Sequence, residues 1–227
     1  MEKFDVVIVG GSAAGIVTAT TGKRAYPDKR FLVIRKDDNP LVPCGIPYIF
    51  LELGTVEKNY MPGQLYQQMG IELFVDEVVR IDRTNKLLHT RSGREISYEK
   101  LVLALGSKPY IPSIKGVELE NVFTVSKDAN YLAKMKEKLS SSKRIVVVGA
   151  GFIGVEVSEQ LALEGKEVVL VEIMPHILSK AFDGDIARFP TEEFEKLGVK
   201  IMVNTKILEI KGNSKVEAII FEKMEKK

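Results

Sequence analysis

Two copies of one sequence pattern predict an α/β fold built from two similar domains. A short apolar segment runs into a glycine-rich turn, a helical stretch and a second apolar segment, first at residues 4–34 and again at residues 144–171. Short apolar segments bounded by turn residues are typical of buried parallel strands. The breakers Pro109–Pro112 separate the copies. We therefore expect two Rossmann-like nucleotide-binding domains in a three-layer architecture, at residues 1–111 and 112–227.

The first copy ends its strand, Phe4–Val9, in a turn suited to a dinucleotide. Gly10 permits a tight turn, and Gly15 allows the helix Ala13–Ala25 to pack closely on the strands. The N-terminus of this helix offers free N–H groups and a positive dipole end to a pyrophosphate. The pattern prefers a second glycine where this chain has a serine. We expect the ligand to contact Gly10, Ser12, Ala13, Ala14 and Gly15.

The second strand of this copy, Phe31–Ile34, is followed by a basic residue where an acid usually binds the ribose hydroxyls. Arg35 has no acceptor for a hydroxyl proton, so the adenosine must be held differently. Either Arg35 or Lys36 contacts a phosphate or a substrate anion, or both are solvated surface charges.

The second copy has all three glycines of the pattern. The strand Arg144–Val148 leads into the turn, and the helix Val155–Glu164 and the strand Val168–Val171 follow. Glu172 closes this strand, at the position that binds the ribose 2′-hydroxyl and repels a 2′-phosphate. This arrangement predicts binding of NADH in preference to NADPH. The expected contacts are Gly149, Gly151, Phe152, Ile153, Gly154 and Glu172.

The remaining elements are shorter. Residues 54–70 are expected to form a loop with a short helix, and Arg91–Arg94 a hairpin turn. Thr191–Leu197 is expected to be a helix. Further short strands are expected at Ile71–Val75, Val78–Ile81, Leu87–Thr90, Leu101–Ala104, Val199–Val203, Ile207–Ile210 and Val216–Phe221.

Cys44 is the only cysteine of the chain and lies in the stretch Leu41–Tyr48, shortly after the first nucleotide-binding copy. A thiol at this place would lie beside the ring system of the nucleotide, which favours a flavin-linked thiol oxidoreductase with Cys44 as the redox centre. The alternative is an inert thiol that behaves as a small apolar residue. A single cysteine excludes an intramolecular disulfide, so its disulfide partner must come from a substrate or another chain.

Composition excludes several classes of function. The net charge is +2, with no strong basic patch to favour nucleic acid or a membrane surface. No apolar run reaches the roughly 18 residues of a membrane helix, and no signal peptide is apparent. One cysteine fits a reducing, cytoplasmic location. His89 and His176 are isolated, without metal-ligand spacing, so we expect no metal.

Three motifs together resemble the pyridine nucleotide-disulfide oxidoreductases: Cys44–Tyr48, Leu101–Pro109 and Gly151–Glu156. The single-cysteine branch is most similar, with its coenzyme A-disulfide reductases, NADH oxidases and peroxidases, and NAD(P)H polysulfide reductases. The resemblance implies FAD and NADH as cofactors and a cytoplasmic flavoprotein that reduces a disulfide, polysulfide or oxygen-type acceptor. It also assigns the strand that returns to the FAD domain and two residues near the flavin and the nicotinamide: Ala104, Leu105, Gly106, Phe152 and Glu156.

The chain departs from this family at three places. Family members often have Glu where Arg35 stands. Pro40–Pro43 replaces polar contacts to coenzyme A, although Arg24 resembles a coenzyme A-binding arginine. The family also has a second FAD segment and a dimerisation domain after the point where this sequence ends. We therefore expect weak FAD binding, and self-association or a companion chain that supplies the other half.

Three functions remain open. The first is an FAD-dependent NADH oxidoreductase in which an oxidised Cys44, as a mixed disulfide, persulfide or sulfenic acid, receives two electrons and returns to the thiolate. The second is a non-catalytic nucleotide-binding chain, or half of a split enzyme. The third is an electron-transfer reductase for a protein such as rubredoxin, with Cys44 incidental.

Overall fold

The computed structural model describes residues 2–61 and 63–225, which form two compact units. Unit 1 comprises residues up to Pro43 together with Tyr60–Lys108. Unit 2 comprises Cys44–Asn59 together with the residues from Pro109 onward. The segment that carries the cysteine therefore packs with the second half of the chain. Which nucleotide each unit binds stays a prediction.

Unit 1 is an α/β unit with a six-stranded sheet in the order β3-β2-β1-β6-β5-β4. The strands β1, β2, β3 and β6 are parallel, and β5 pairs antiparallel with β6 and β4. The predicted buried parallel strands are thus confirmed. Its elements are β1 (Glu2–Val9), α1 (Ala13–Ala25), β2 (Phe31–Arg35), α2 (Gln64–Gln68), β3 (Glu72–Val75), β4 (Val78–Asp82), β5 (Leu87–Thr90) and β6 (Glu95–Leu103).

The core of unit 1 lies in two clusters. One cluster packs Ala19 of α1 and Tyr66 of α2 against residues of β1 and β2 such as Ile8 and Val33. The other contains Leu88 and further residues of β1, β2, β5 and β6. Burial of both clusters fixes β1 in the middle of the sheet, so its carboxyl end and the first glycine turn are held from both sides.

The hairpin turn predicted at Arg91–Arg94 joins β5 and β6, with Gly93 at φ +86°. The strand predicted at Leu101–Ala104 is longer than expected and begins at Glu95. Its first half pairs with β5 and its second half with β1, a division that the apolar run alone does not reveal.

Unit 2 contains a parallel three-stranded sheet in the order β7-β8-β9 and a separate antiparallel pair, β10 and β11. Its elements are α3 (Ala129–Ser140), β7 (Arg144–Val148), α4 (Phe152–Leu163), β8 (Glu167–Val171), α5 (Gly184–Lys196), β9 (Lys200–Met202), β10 (Thr205–Lys211) and β11 (Ala218–Lys223). The cysteine-containing segment adds the 3₁₀ turns Pro43–Gly45, Pro47–Phe50 and Glu57–Asn59.

Two helices of unit 2 differ from the sequence prediction. The helix α3 was not predicted, although Asp128 caps its N-terminus by accepting from the Tyr131 N–H at 2.8 Å. The helix α5 begins at Gly184 rather than Thr191, because it runs through Pro190. The Asp183 side chain caps it, and burial of Ala187 and Phe194 favours the longer helix over a break at the proline.

Candidate functional site

The first glycine turn has the geometry of a phosphate-binding loop. Gly10 has φ +112°, and a side chain there would collide with the carbonyl group of Ala104. A side chain on Gly15 would collide with the Gly10 carbonyl oxygen. These two close contacts require glycine, and they bring the start of α1 against the carboxyl ends of β1 and β6.

Ser12 is the N-cap residue of α1, but its side chain makes no capping bond to the described helix backbone. Its Oγ instead donates to the Leu41 carbonyl at 3.2 Å. The first-turn N–H groups, including those of Ala13 and Ala14, are therefore not competed for by this side chain. The turn can offer them to a phosphate despite the missing second glycine.

The end of β6 contributes to the same place. Ala104 donates its N–H to the Val9 carbonyl at 2.8 Å, which places it beside Gly10. Leu105 follows with 68% exposure, and Gly106 turns the chain at φ +69°. Three predicted contacts thus adjoin the first turn. Arg24 does not, because it is exposed in the last turn of α1, at the opposite end of a 13-residue helix.

The two basic residues after β2 have different surroundings. Lys36 is exposed, as a solvated charge would be. Arg35 is not a surface charge, since only 7% of it is exposed and its stem crosses the turn at Gly11. The prediction that both are solvated is wrong for Arg35.

The second glycine turn repeats the first with more open space. Gly149 has φ +98° and donates its N–H to the Val171 carbonyl at 2.7 Å. A side chain on Gly154 would collide with the Gly149 carbonyl oxygen, whereas a Cβ on Gly149 or Gly151 would meet nothing within 4 Å. This open space beside the N-terminus of α4 fits a pyrophosphate.

Glu172 is fixed against this turn by two hydrogen bonds. Its Oε2 accepts from the Ala150 N–H at 2.6 Å and its Oε1 from the Met174 N–H at 2.8 Å. The carboxylate is therefore oriented before any ligand binds. Its position at the turn matches the one predicted for a ribose-binding acid.

Two aromatic side chains lie exposed beside the start of α4. Phe152 is 56% exposed and meets Phe182 edge to face, with ring centroids 6.1 Å apart. Ile153 beside them is also exposed. Sequence analysis singled out Phe152 and Ile153 but missed Phe182, which lies 30 residues later on the approach to α5.

Cys44 lies exposed on a turn whose neighbours are buried. A side chain on Gly45 would collide with the amide of buried Asn59, and Pro47 and Phe50 are buried in the following 3₁₀ turn. The segment is thus anchored while the thiol stays accessible. An inert buried cysteine is excluded by this geometry.

The helix α4 holds this segment in unit 2. The Gln160 side chain, 1% exposed, accepts from the Glu52 N–H at 3.2 Å and donates to the Glu52 carboxylate at 3.3 Å. Lys136 donates to the Phe50 carbonyl at 2.9 Å. Sequence reasoning missed Gln160 because its partner lies 108 residues away.

Tyr48 links the cysteine-containing segment to the helix that begins at the second turn. The carboxylate of Glu156, then burial and the carboxylates of Glu159 and Glu52, raise the pKa of Tyr48. These charges disfavour the phenolate, so the hydroxyl keeps its proton at neutral pH. The structure brings together, in one unit, Glu156, the second turn and the segment that carries Cys44.

Other classes of site find no support in the described part of the chain. Residues 2–61 and 63–225 contain no group of three or more His, Cys, Asp or Glu side chains that could hold a metal ion. None of the helices in these ranges is long and apolar enough to cross a membrane.

Residues 4–227 match the family model for pyridine nucleotide-disulphide oxidoreductases. The chain belongs to this family of oxidoreductase enzymes. It is 32% identical, over 94% of its length, to an NADH oxidase of Methanocaldococcus jannaschii. It is 33% identical, over 96% of its length, to an NAD(P)H coenzyme A polysulfide/persulfide reductase of Pyrococcus horikoshii. It spans about half of each relative, 50% in both cases.

Solved structures agree with this membership. A ferredoxin reductase from Rhodopseudomonas palustris matches with a TM-score of 0.87 at 25% identity, over 96% of this chain and 55% of the other. An NAD-dependent persulfide reductase from A. fulgidus matches with a TM-score of 0.85 at 27% identity, over 96% of this chain and 43% of the other. FAD and NAD(P)H are the cofactors of the family, and the two turns supply one phosphate-binding loop for each.

Proposed function

We propose that this chain is the nucleotide-binding and thiol-bearing part of an NADH-dependent flavin oxidoreductase that reduces disulfide, polysulfide or oxygen-type acceptors. One observation carries the proposal: an accessible Cys44 on an anchored turn packs in the same unit as the glycine turn that Glu172 adjoins. An exposed thiol beside a dinucleotide turn is the arrangement that reductive thiol chemistry needs.

The two turns would hold the two dinucleotides. The first would bind the FAD pyrophosphate through the N–H groups after Gly10, with Ala104–Gly106 alongside. The second would bind NADH through Gly149–Gly154, with Glu172 accepting from the ribose. When bound, the pair supplies two-electron reduction. The chain itself contributes anion binding at two helix N-termini and orientation of the nicotinamide end by Phe152 and Glu156.

Cys44 would act as the nucleophile. Its thiolate attacks one sulfur of a disulfide or polysulfide, an S–S bond to Cys44 forms, and the other sulfur leaves as a thiolate or shortened polysulfide. Two electrons, supplied overall by NADH, then cleave the new bond and restore the Cys44 thiolate. With a peroxide, the same thiolate takes one oxygen and becomes a sulfenic acid. Coenzyme A disulfide is one candidate acceptor, for which Arg24 stays a predicted contact.

The test is NADH oxidation with polysulfide or coenzyme A disulfide as acceptor, under anaerobic conditions, in the wild type and Cys44→Ser. We expect Cys44→Ser to lose acceptor-dependent turnover while keeping its fold, NADH binding and any FAD. Unchanged turnover in the variant would remove Cys44 from the mechanism. Oxidation of NADH by oxygen is excluded from the readout, because reduced flavin reacts with oxygen without a thiol.

We further propose that activity requires sequence corresponding to the other half of the relatives, whether in the same polypeptide or in a companion. Large apolar side chains support this need in each unit. In unit 1, Leu103 and Leu105 are exposed at the end of β6, and in unit 2 Val146 and Val148 are exposed on the edge strand β7. Such surfaces favour covering by further protein or self-association.

A second candidate function is supported by the similarity to the ferredoxin reductase, which has the highest TM-score of the structures compared above. In this case the acceptor would be a redox protein such as a ferredoxin or rubredoxin, and Cys44 would be incidental. NADH-dependent reduction of a ferredoxin that is equally fast in the wild type and Cys44→Ser would favour this function. Loss of all reduction in Cys44→Ser favours the thiol mechanism.

A further inference from the structure

Arg35 carries a buried positive charge whose hydrogen-bonding capacity is largely unused. Its Nη2 donates to the Asp38 carbonyl and lies 3.7 Å from the Asp38 carboxylate, which is 78% exposed. Its Nε and Nη1 are buried and have no hydrogen-bond partner among residues 2–61 and 63–225. A guanidinium has five N–H donors, so two of its three nitrogens are without an acceptor.

The guanidinium lies beside the first glycine turn. A Cβ on Gly11 would be 2.8 Å from the Arg35 Cδ, so the stem of the side chain crosses the turn there. A Cβ on Gly63 would be 3.4 Å from Nη2, so the charged end lies between these two glycines. Tyr66 supports the same turn, with its hydroxyl donating to the Gly11 carbonyl at 3.3 Å.

This arrangement is costly unless an acceptor completes it. A buried donor without a partner loses the hydrogen bonds that it made to water, and the loss is larger for a charged group. Asp38 does not neutralise the charge, because its carboxylate is exposed and only Nη2 approaches it. The unpaired N–H groups, at the end of β2 and beside the N-terminus of α1, point to an anionic or oxygen-rich ligand.

We propose that Arg35 is a specificity-determining residue of the first nucleotide site, donating Nε–H and Nη1–H to oxygens on the ribose of the bound ADP group. The site would accept the plain ribose of FAD through its hydroxyl oxygens. It would bind more tightly an ADP group whose ribose carries a phosphate, because hydrogen bonds between two charged groups are stronger. The inference rests on the proposed function only in that the first turn binds an ADP group.

The second turn has the opposite preference, which makes the inference testable in the intact chain. Glu172 would repel a ribose 2′-phosphate, so tight binding of 2′-phospho-ADP is not expected from the second turn. The probes are ADP, 2′-phospho-ADP and 3′-phospho-ADP, titrated by calorimetry. The two phosphorylated probes distinguish which ribose oxygen the guanidinium reaches.

We expect the wild type to bind one phosphorylated probe at least about tenfold more tightly than ADP. Arg35→Gln should remove this preference and Arg35→Glu should reverse it. Lys36→Gln, which removes the exposed neighbouring charge, is the matched control and should keep the wild-type ratio within about threefold. Circular dichroism establishes that each variant is folded.

The wild-type ratio alone decides the matter if a variant does not fold. Equal or tighter binding of ADP in the wild type, or an unchanged ratio in a folded Arg35→Gln, would overturn the inference. Neither result touches the proposed function, which is tested by NADH turnover through Cys44. Loss of that turnover with an intact Arg35-dependent ratio would in turn leave this inference standing.

Discussion

Glu172 and Arg35 occupy equivalent places in the two units, each where the second parallel strand ends beside a glycine turn. Their charges are opposite, and their surroundings differ accordingly. Glu172 is held by two backbone N–H groups, whereas the Arg35 guanidinium has one backbone acceptor and two unpaired nitrogens among the described residues. At the scale of single residues, these two side chains determine which nucleotides the chain distinguishes.

Glu172→Gln is expected to lower the preference for NADH over NADPH by about tenfold, because it removes the charge that repels a 2′-phosphate. The amide keeps the size of the side chain and can still accept from Ala150. Glu167→Gln, in the same strand and exposed beside Lys143, is the control and should leave the preference unchanged. Titration with both nucleotides measures the ratio, and equal or tighter NADPH binding by the wild type would contradict the assignment.

The glycines of the second turn separate folding from binding. Gly154→Ala places a methyl group against the Gly149 carbonyl and should lower the free energy of unfolding by about 1–3 kcal/mol. Gly151→Ala points into open space at an ordinary φ of −76°, so its stability should change by less than about 0.5 kcal/mol. The same methyl group should weaken NADH binding. Urea unfolding and NADH titration measure the two effects, and strong binding by Gly151→Ala would argue against a pyrophosphate there.

At the scale of elements, α4 connects the second turn with the segment that carries Cys44. Its first residue, Phe152, lies at the turn, and Gln160 two turns later binds Glu52. One rigid helix therefore carries both the nucleotide-binding end and the anchor of the thiol segment. This coupling explains why residues 44–59 belong to unit 2.

Gln160→Leu should loosen this anchor, because it leaves the Glu52 N–H and carboxylate without the amide at a nearly closed site. We expect a loss of about 1–3 kcal/mol in stability and faster hydrogen exchange at residues 44–59. Gln68→Leu, the same change at an exposed position of α2, is the control and should alter neither. Unchanged exchange in Gln160→Leu would show that the segment is held by other contacts.

The sequence allowed the elements around each glycine turn to be predicted, since glycine spacing and apolar runs are local signals. The helix Ala13–Ala25 and the strand Arg144–Val148 have the predicted bounds. The start of α5 was wrong because Pro190 usually marks a boundary, and here the Asp183 cap and tertiary burial outweigh it. The Gln160–Glu52 pair and the burial of Arg35 depend on contacts between distant parts of the chain, which no local pattern contains.

At the scale of the whole molecule, the chain spans about half of its relatives. We expect these 227 residues alone to hold FAD weakly or substoichiometrically, because a site that lacks part of its walls loses contacts without a smaller ordering cost. Adding protein that corresponds to the other half of the relatives should raise both FAD content and turnover. Flavin absorbance per chain, before and after the addition, measures this. Full occupancy with rapid turnover by the 227 residues alone would contradict it.

The most direct test of the central claim follows the sulfur on Cys44. The FAD-loaded protein is treated with polysulfide, freed of excess reagent, and given NADH without oxygen while intact mass is recorded. We predict an added sulfur on Cys44 that disappears as one NADH is oxidised per sulfide released. Oxidation of NADH while the added sulfur persists, or polysulfide turnover with Cys44 unmodified, would contradict the account.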